Sequence, residues 1–200
     1  MGETGDKLRA NAIHLRRSLS ASEIILKSRR IQETALCFPP YLYSRAVALY
    51  SPAGNEVSTE EIRDHALKAG KKLFYPKPGG GTGLDFVQVE GPQDLQPGRY
   101  GILEPTGNRI MTRQDEQGLV VFVPGLAFDL HGNRLGRGKG WYDRVLAALG
   151  EGARFAALAF EFQIVEELPT ERWDRKVHHI ITERRVINCG DSPSDSGWIS

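Results

Sequence analysis

Leu8, Ala12, Leu15 and Leu19 recur at helical spacing and predict a first helix. Ser20-x-x-Glu23 has the form of a capping box, in which a hydroxyl and a carboxylate satisfy the first N–H groups of a second helix. That helix carries Ile24, Ile31 and Ala35 and is expected to end at Pro39-Pro40. Ala46-Val47-Ala48-Leu49-Tyr50 is almost wholly apolar, the pattern of a buried strand. Ser58-x-x-Glu61 predicts another capped helix, with Ile62, Ala66 and Leu67 on its apolar side and Gly70 as its stop. A strand returns over 71–75. This β-α-β order implies parallel strands joined by a right-handed crossover, hence the layered α/β class.

Further along, Gly79 to Gly83 reads as a turn, and Leu84, Phe86, Val87 and Val89 as a more exposed, partly alternating strand. Residues 91–118 are expected to be mostly loop. Leu119 to Val123 is another apolar run, and Tyr142, Val145, Leu146 and Leu149 share one helix face. Phe155 to Phe160 and Val177 to Thr182 are two further strands. From Asn188 the chain turns polar, so a single domain over 1–187 and a flexible tail over 188–200 are expected.

Composition narrows the function classes. Twenty-six Lys and Arg against 25 Asp and Glu leave a net charge of +1, too little for an overall field that attracts nucleic acid or an anionic membrane. Any anion site must therefore be local. Cys37 and Cys189 lie at opposite ends and match no metal-ligand spacing, which reads as reduced thiols in a cytoplasmic protein. No apolar stretch approaches the roughly 18 residues of a membrane span, and Met1 to Arg9 is too polar for a signal peptide.

The local anion site has an obvious candidate. After Leu119–Val123 the chain turns at Pro124-Gly125, passes through Asp129-Leu130-His131-Gly132, and enters a loop where Gly136, Gly138 and Gly140 alternate with Arg137 and Lys139. A helix follows at once, so backbone N–H groups, two cations and a helix N-terminus can converge on one phosphate; a glycine-rich surface turn is the competing reading. The loop is not a Walker A motif, because Asn133 and Gly140 stand where that motif needs a glycine and a hydroxyl residue. Nor is it a good dinucleotide fingerprint: Trp141 occupies the sixth position, and only Glu161, about 20 residues on, speaks for a dinucleotide-dependent oxidoreductase. Asp143, in the first helical turn, either complements the helix dipole, worth about 0.3–1 kcal/mol, or ligates Mg²⁺ beside bound phosphate. His178 and His179 are adjacent in a strand and point to opposite faces, which favours packing over metal binding. His131 belongs to the turn, and His14 and His65 have no evident partners.

The string PGLAFDLHGNRLGRGKGWYD closely resembles the signature of the 5-formyltetrahydrofolate cyclo-ligases, also called methenyltetrahydrofolate synthetases. The resemblance extends through Val47-Ala48-Leu49-Tyr50, Asn55-Glu56-Val57, Tyr75-Pro76-Lys77, Gly101-Ile102-Leu103-Glu104-Pro105, Leu158-Ala159-Phe160 and the stretch from Leu168 to Asp174, over residues 8 to 183. It implies a three-layer α/β sandwich with a mostly parallel sheet and helices on both faces, Rossmann-like and of the NagB/RpiA/CoA-transferase kind. The implied activity is closure of 5-formyltetrahydrofolate to 5,10-methenyltetrahydrofolate, driven by ATP with Mg²⁺, in a monomer without nucleic-acid or membrane partners.

By the same resemblance, Arg134, Gly136, Arg137, Gly138, Lys139, Gly140, Trp141 and Tyr142 are the nucleotide-phosphate loop, with Arg137, Lys139 and Tyr142 acting in catalysis. Tyr142 also belongs to an apolar stripe, so packing is its other reading. Glu56 and Tyr50, with Trp141 and Tyr142, are expected to contact folate, and Asp143 with Asp174 to hold magnesium. The resemblance also places Arg9 at the ATP phosphates, together with a family lysine four residues earlier; Gly5 stands at that position, and Lys7, the nearest cation and the ATP-site residue expected in its place, lies two residues along the helix, which turns it to the opposite side. That departure leaves room for a non-catalytic folate- or nucleotide-binding regulator. Arg16 and Arg17 read as a solvated helix face.

Overall fold

In the computed structural model, residues 3–79, 83–98, 101–138, 140–171 and 174–190 are described. The elements are α1 (Glu3–Ser18), α2 (Ala21–Leu36), the short α3 (Pro39–Leu42), β1 (Ala46–Ala48), α4 (Glu60–Lys68), β2 (Lys72–Pro78), β3 (Leu84–Val89), β4 (Leu95–Pro97), β5 (Leu103–Pro105), β6 (Leu119–Val123), β7 (Ala127–Asp129), β8 (Arg134–Leu135), α5 (Trp141–Ala148), β9 (Ala153–Leu158), β10 (Ile164–Val165), β11 (His179–Ile181) and β12 (Val186–Asn188). Seven strands form the main sheet in the order β12-β11-β9-β6-β1-β2-β3. The five inner strands are parallel, and antiparallel β3 and β12 close its two edges. Every residue of β1, β6 and β9 is buried, as expected of strands covered on both faces.

Alternation sorts those residues into two cores. Val47, Val120, Phe122, Ala156 and Leu158 face α2 and α4 on one side, with Ile31, Ala35, Ile62 and Ala66. Ala46, Ala48, Val121, Phe155 and Ala157 face α5 on the other, with Val145, Leu146 and Leu149. The result is the three-layer α/β sandwich that the sequence pattern implies. Among the described residues no helix is long and apolar enough to cross a membrane.

The Ser20–Glu23 capping box forms as expected: the Glu23 N–H donates to Ser20 Oγ at 3.3 Å and the Ser20 N–H to Glu23 Oε2 at 2.9 Å. The second expected box does not. Helix α4 begins after Thr59, and its first turn is capped from α2, where Gln32 Oε1 accepts the Glu61 N–H at 2.9 Å and Ser28 Oγ accepts the Ser58 N–H at 3.1 Å. Ser58 Oγ still accepts the Glu60 N–H at 3.4 Å, so the local side chain and a neighbouring helix share the capping. Pro39 and Pro40 likewise open α3 rather than end α2, which stops at Leu36; proline suits a first turn, where its missing N–H costs nothing. His65 does have a partner, the Tyr41 hydroxyl at 2.7 Å from its Nδ1. The 91–118 segment contains the β4–β5 hairpin, and β12 carries pairing to Asn188. Residues 191–200 of the expected tail lie outside the described residues.

Candidate active site

Read outward from β1, the sheet runs one way to β2 and the other way to β6, β9 and β11. Such a reversal leaves a crevice at the carboxyl ends of the two strands where it occurs, since the connections leave on opposite sides. Here that crevice is a cavity of about 750 Å³. Tyr50, Ala53 and Glu56 line it beyond the end of β1, Pro124, Gly125 and Leu126 beyond the end of β6, and Pro76 and Pro78 at the end of β2. Its size suits one or more small-molecule ligands.

The loop after β6 is built by a buried acid. Asp129 is fully buried; its Oδ1 accepts the N–H groups of His131 and Asn133 at 2.9 and 3.0 Å, and its Oδ2 accepts Asn133 Nδ2 at 2.8 Å and the Leu168 N–H at 3.1 Å. The Asp-Leu-His-Gly-Asn segment is thus a self-braced turn that returns the chain as β8. Gln163 fixes the other side, donating through Nε2 to the Gly125 and Leu126 carbonyls at 2.9 and 3.0 Å.

From β8 the chain reaches the cavity wall. Arg134, whose side chain is only 5% exposed, donates through Nη2 to Asp143 Oδ1 at 2.7 Å and sits over the Tyr142 ring at 5.6 Å. Its Nε is buried without a hydrogen-bond partner among the described residues. Arg9 reaches over from α1 and donates through Nε to the Gly136 carbonyl at 3.1 Å, which ties the first helix to the loop. Gly140 precedes α5 at φ +60°, a left-handed conformation that lets the helix start abruptly at the wall. The N–H groups of that first turn have no partners within their own helix, which suits them to an anion.

Tyr142 packs against both cores. Burial pushes its hydroxyl well above the ordinary tyrosine range, Glu56 adds to the rise, and Arg134 opposes it. The hydroxyl therefore stays protonated and can donate a hydrogen bond. Packing and a place on the cavity wall are compatible for this residue.

Glu56 is the most heavily engaged group on the opposite wall. Its Oε2 accepts the Ala53 N–H at 3.0 Å, and its Oε1 accepts Arg137 Nη2 at 3.1 Å and Arg16 Nη1 at 3.4 Å. Arg16 is not a solvated residue: it is 3% exposed, and it also donates through Nη2 to the Ala53 carbonyl at 3.3 Å. Burial lowers its pKa and the Glu56 charge opposes that fall. The expectation failed because the inward stripe of α1 runs from partly buried Leu8 to buried Ala12 and Arg16 in steps of four, whereas Leu15 is exposed. Arg17 is exposed, as read from the sequence.

The remaining candidates distribute as follows. Gly136, Gly138, Gly140, Trp141, Asp143 and Asp174 all line the cavity. Lys139 lies outside the described residues. Tyr50 is on the wall, but its hydroxyl donates to the Val57 carbonyl at 2.9 Å, leaving the ring for contact. Gly5 and Arg9 line the cavity whereas Lys7 is exposed and stands off its wall. Glu161 is held by the Thr182 hydroxyl at 2.7 Å and by Arg185, so it serves the β11–β12 corner and lies off the cavity wall. His178 accepts the Phe155 N–H at 2.9 Å and His179 packs edge-on against Phe38, both structural roles. Ile102 and Glu104 of the β4–β5 hairpin also line the cavity, a contribution hidden in a segment that reads as loop.

Fold and site together define a doubly wound α/β protein whose cavity lies at the switch point and is walled in part by a glycine-rich loop carrying Arg134 and Arg137. A sequence model described as the 5-formyltetrahydrofolate cyclo-ligase family matches residues 2–183. The chain belongs to that family. It is 30% identical over 186 residues to the Mus musculus 5-formyltetrahydrofolate cyclo-ligase, covering 88% of this chain and 92% of the relative. The NMR structure of Aquifex aeolicus 5,10-methenyltetrahydrofolate synthetase superposes with a TM-score of 0.82 at 34% identity, covering 95% of each chain. A Mycoplasma pneumoniae 5,10-methenyltetrahydrofolate synthetase, at 23% identity and a TM-score of 0.73, shares the fold.

Proposed function

We propose that this chain is an ATP-dependent ligase that closes 5-formyltetrahydrofolate to 5,10-methenyltetrahydrofolate. One observation carries the reading: the glycine-rich loop with Arg134 and Arg137, the half-buried Tyr142 and the carboxylate of Glu56 all meet on one cavity at the switch point. An N-formyl group is an amide, whose carbon is a poor electrophile and whose oxygen is a poor leaving group. Attack of that oxygen on the γ-phosphorus of ATP forms an O–P bond, breaks the bond to the β-phosphate oxygen and releases ADP. The N10 lone pair then adds to the activated carbon, the C–O bond breaks with loss of phosphate, and N10 gives up its proton. Positioning and charge stabilisation are the protein's share of such a transfer.

The loop residues are assigned accordingly. Arg134, Arg137 and Lys139 neutralise phosphate charge, Arg9 braces the loop from α1, and Tyr142 donates a hydrogen bond near the formyl oxygen. Glu56 accepts N–H groups of the pterin, a task for which a carboxylate is suited. Asp143 and Asp174, both on the cavity wall, fit magnesium, which needs only one or two protein carboxylates beside phosphates and water. One oxygen of each is engaged, with Arg134 and with the Glu171 N–H. When bound, the ion would withdraw charge from the phosphate oxygens. Among the described residues no cluster of three metal-ligating side chains exists, so nucleotide and water would have to supply most of the ion's ligands. The unpaired thiols of Cys37 and Cys189 support a cytoplasmic setting, and we assign a monomer.

Mixing the purified protein with 5-formyltetrahydrofolate, ATP and Mg²⁺ should yield methenyl product and ADP in equal amounts. Ligand binding without turnover would instead favour the regulator that Gly5 suggests. Asp143→Asn should raise the Mg²⁺ concentration for half-maximal rate at least about tenfold, judging from the cost of disturbing metal-site carboxylates. An unaltered metal titration would leave Asp143 as an anchor for Arg134 and a complement to the helix dipole.

A further inference from the structure

Two arginines grip one carboxylate oxygen of Glu56, and they do so under opposite conditions. Arg137 approaches from the anion loop with its side chain 55% exposed, and shares Ala53 O and Glu56 Oε1 as acceptors, both at 3.1 Å. Arg16 approaches from α1, is 3% exposed, and uses the same two acceptors. An exposed pair is weak and easily exchanged, whereas a buried arginine is costly to strip of its partner. The turn is also clamped in the reverse direction, because Asn55, at φ +62°, donates through Nδ2 to the Arg16 carbonyl at 3.2 Å. Phosphate in the cavity can therefore draw Arg137 away, and Arg16 cannot follow.

We infer that Arg16 is the positioning residue of the folate site: its guanidinium holds Glu56 and the 53–56 turn in register while Arg137 moves between carboxylate and phosphate. This rests on the reading of Glu56 as the pterin contact. Arg16 lies behind the carboxylate and is absent from the cavity wall, so it acts on folate only through Glu56.

Steady-state kinetics of Arg16→Met, Arg16→Lys, Glu56→Gln and the Arg16→Met/Glu56→Gln double variant test the inference. Arg16→Met should raise the KM for 5-formyltetrahydrofolate roughly tenfold while the KM for ATP stays within about twofold, a split that general loosening of the fold does not produce. The double variant should be no worse than its poorer parent, because both changes break the same contact. Arg16→Lys keeps the charge but loses the two-pronged grip, so it should fall between parent and Arg16→Met, and it carries the test where Arg16→Met fails to fold. A folate KM unchanged in Arg16→Lys and Arg16→Met but raised in Glu56→Gln would overturn the inference and leave the site reading intact. Equal rises in both KM values would reduce Arg16 to a structural residue and overturn it as well. No change in Glu56→Gln would remove the folate role of Glu56 and the inference with it.

Discussion

Lys139→Ala is expected to lower kcat by roughly 100- to 1,000-fold, the usual cost of removing one preorganised donor from developing charge, with the unfolding midpoint unchanged. The flanking residues Gly138 and Gly140 line the cavity. The Lys139 ammonium is a point charge that the other cations do not replace: Arg134 is committed to Asp143 at 2.7 Å, and Arg137 must first leave Glu56. Single-turnover measurements of ADP release, alongside thermal unfolding, separate lost chemistry from lost structure. Kinetics equal to those of the parent would take Lys139 out of the mechanism.

The largest effect on stability is expected at Gly132. A Cβ built there lies 2.3 Å from the Val177 carbonyl oxygen and 2.9 Å from Cys189 Cβ, and the backbone stands at φ +80°. Backbone cannot swing aside as a flexible side chain can, and the Val177 N–H already donates to the Gly132 carbonyl at 2.9 Å. Gly132→Ala should therefore cost about 3 kcal/mol or more, combining overpacking with left-handed strain. Against a typical total of about 5–15 kcal/mol, that loss is plain in urea denaturation. A variant within about 1 kcal/mol of the parent would mean that the turn and the approach to β11 are more compliant than their hydrogen bonds suggest.

What could be read from sequence follows how local the cause is. The loop between Pro124 and Tyr142 concentrates glycines, cations and a helix start in one run, and one side of the cavity wall is made of that run. Ser20 caps its own helix, so the capping box is legible in four residues. Ser58 has the same pattern but forms no box: it accepts the Glu60 N–H, and the Glu61 N–H goes to Gln32 of another helix, which no local pattern reports. Arg16 shows the converse. Its charge argues for solvent, but its spacing of four from the buried Ala12 places it inside, where Glu56, forty residues away, makes burial tolerable. Ile102 and Glu104 reach the cavity from a hairpin too short to give a hydrophobic period, and β12 is only three residues long.

The shared oxygen Glu56 Oε1 sets a rule for how the two substrates interact. On the assignment proposed above, the carboxylate would compete with ATP for Arg137, and the apparent affinity for nucleotide would fall by the fraction of molecules in which the arginine is so occupied. A pterin that takes the oxygen for itself frees the arginine. Reciprocity then requires nucleotide to tighten folate by the same factor, so synergy between the two binding events arises from a single acceptor atom with no domain closure needed.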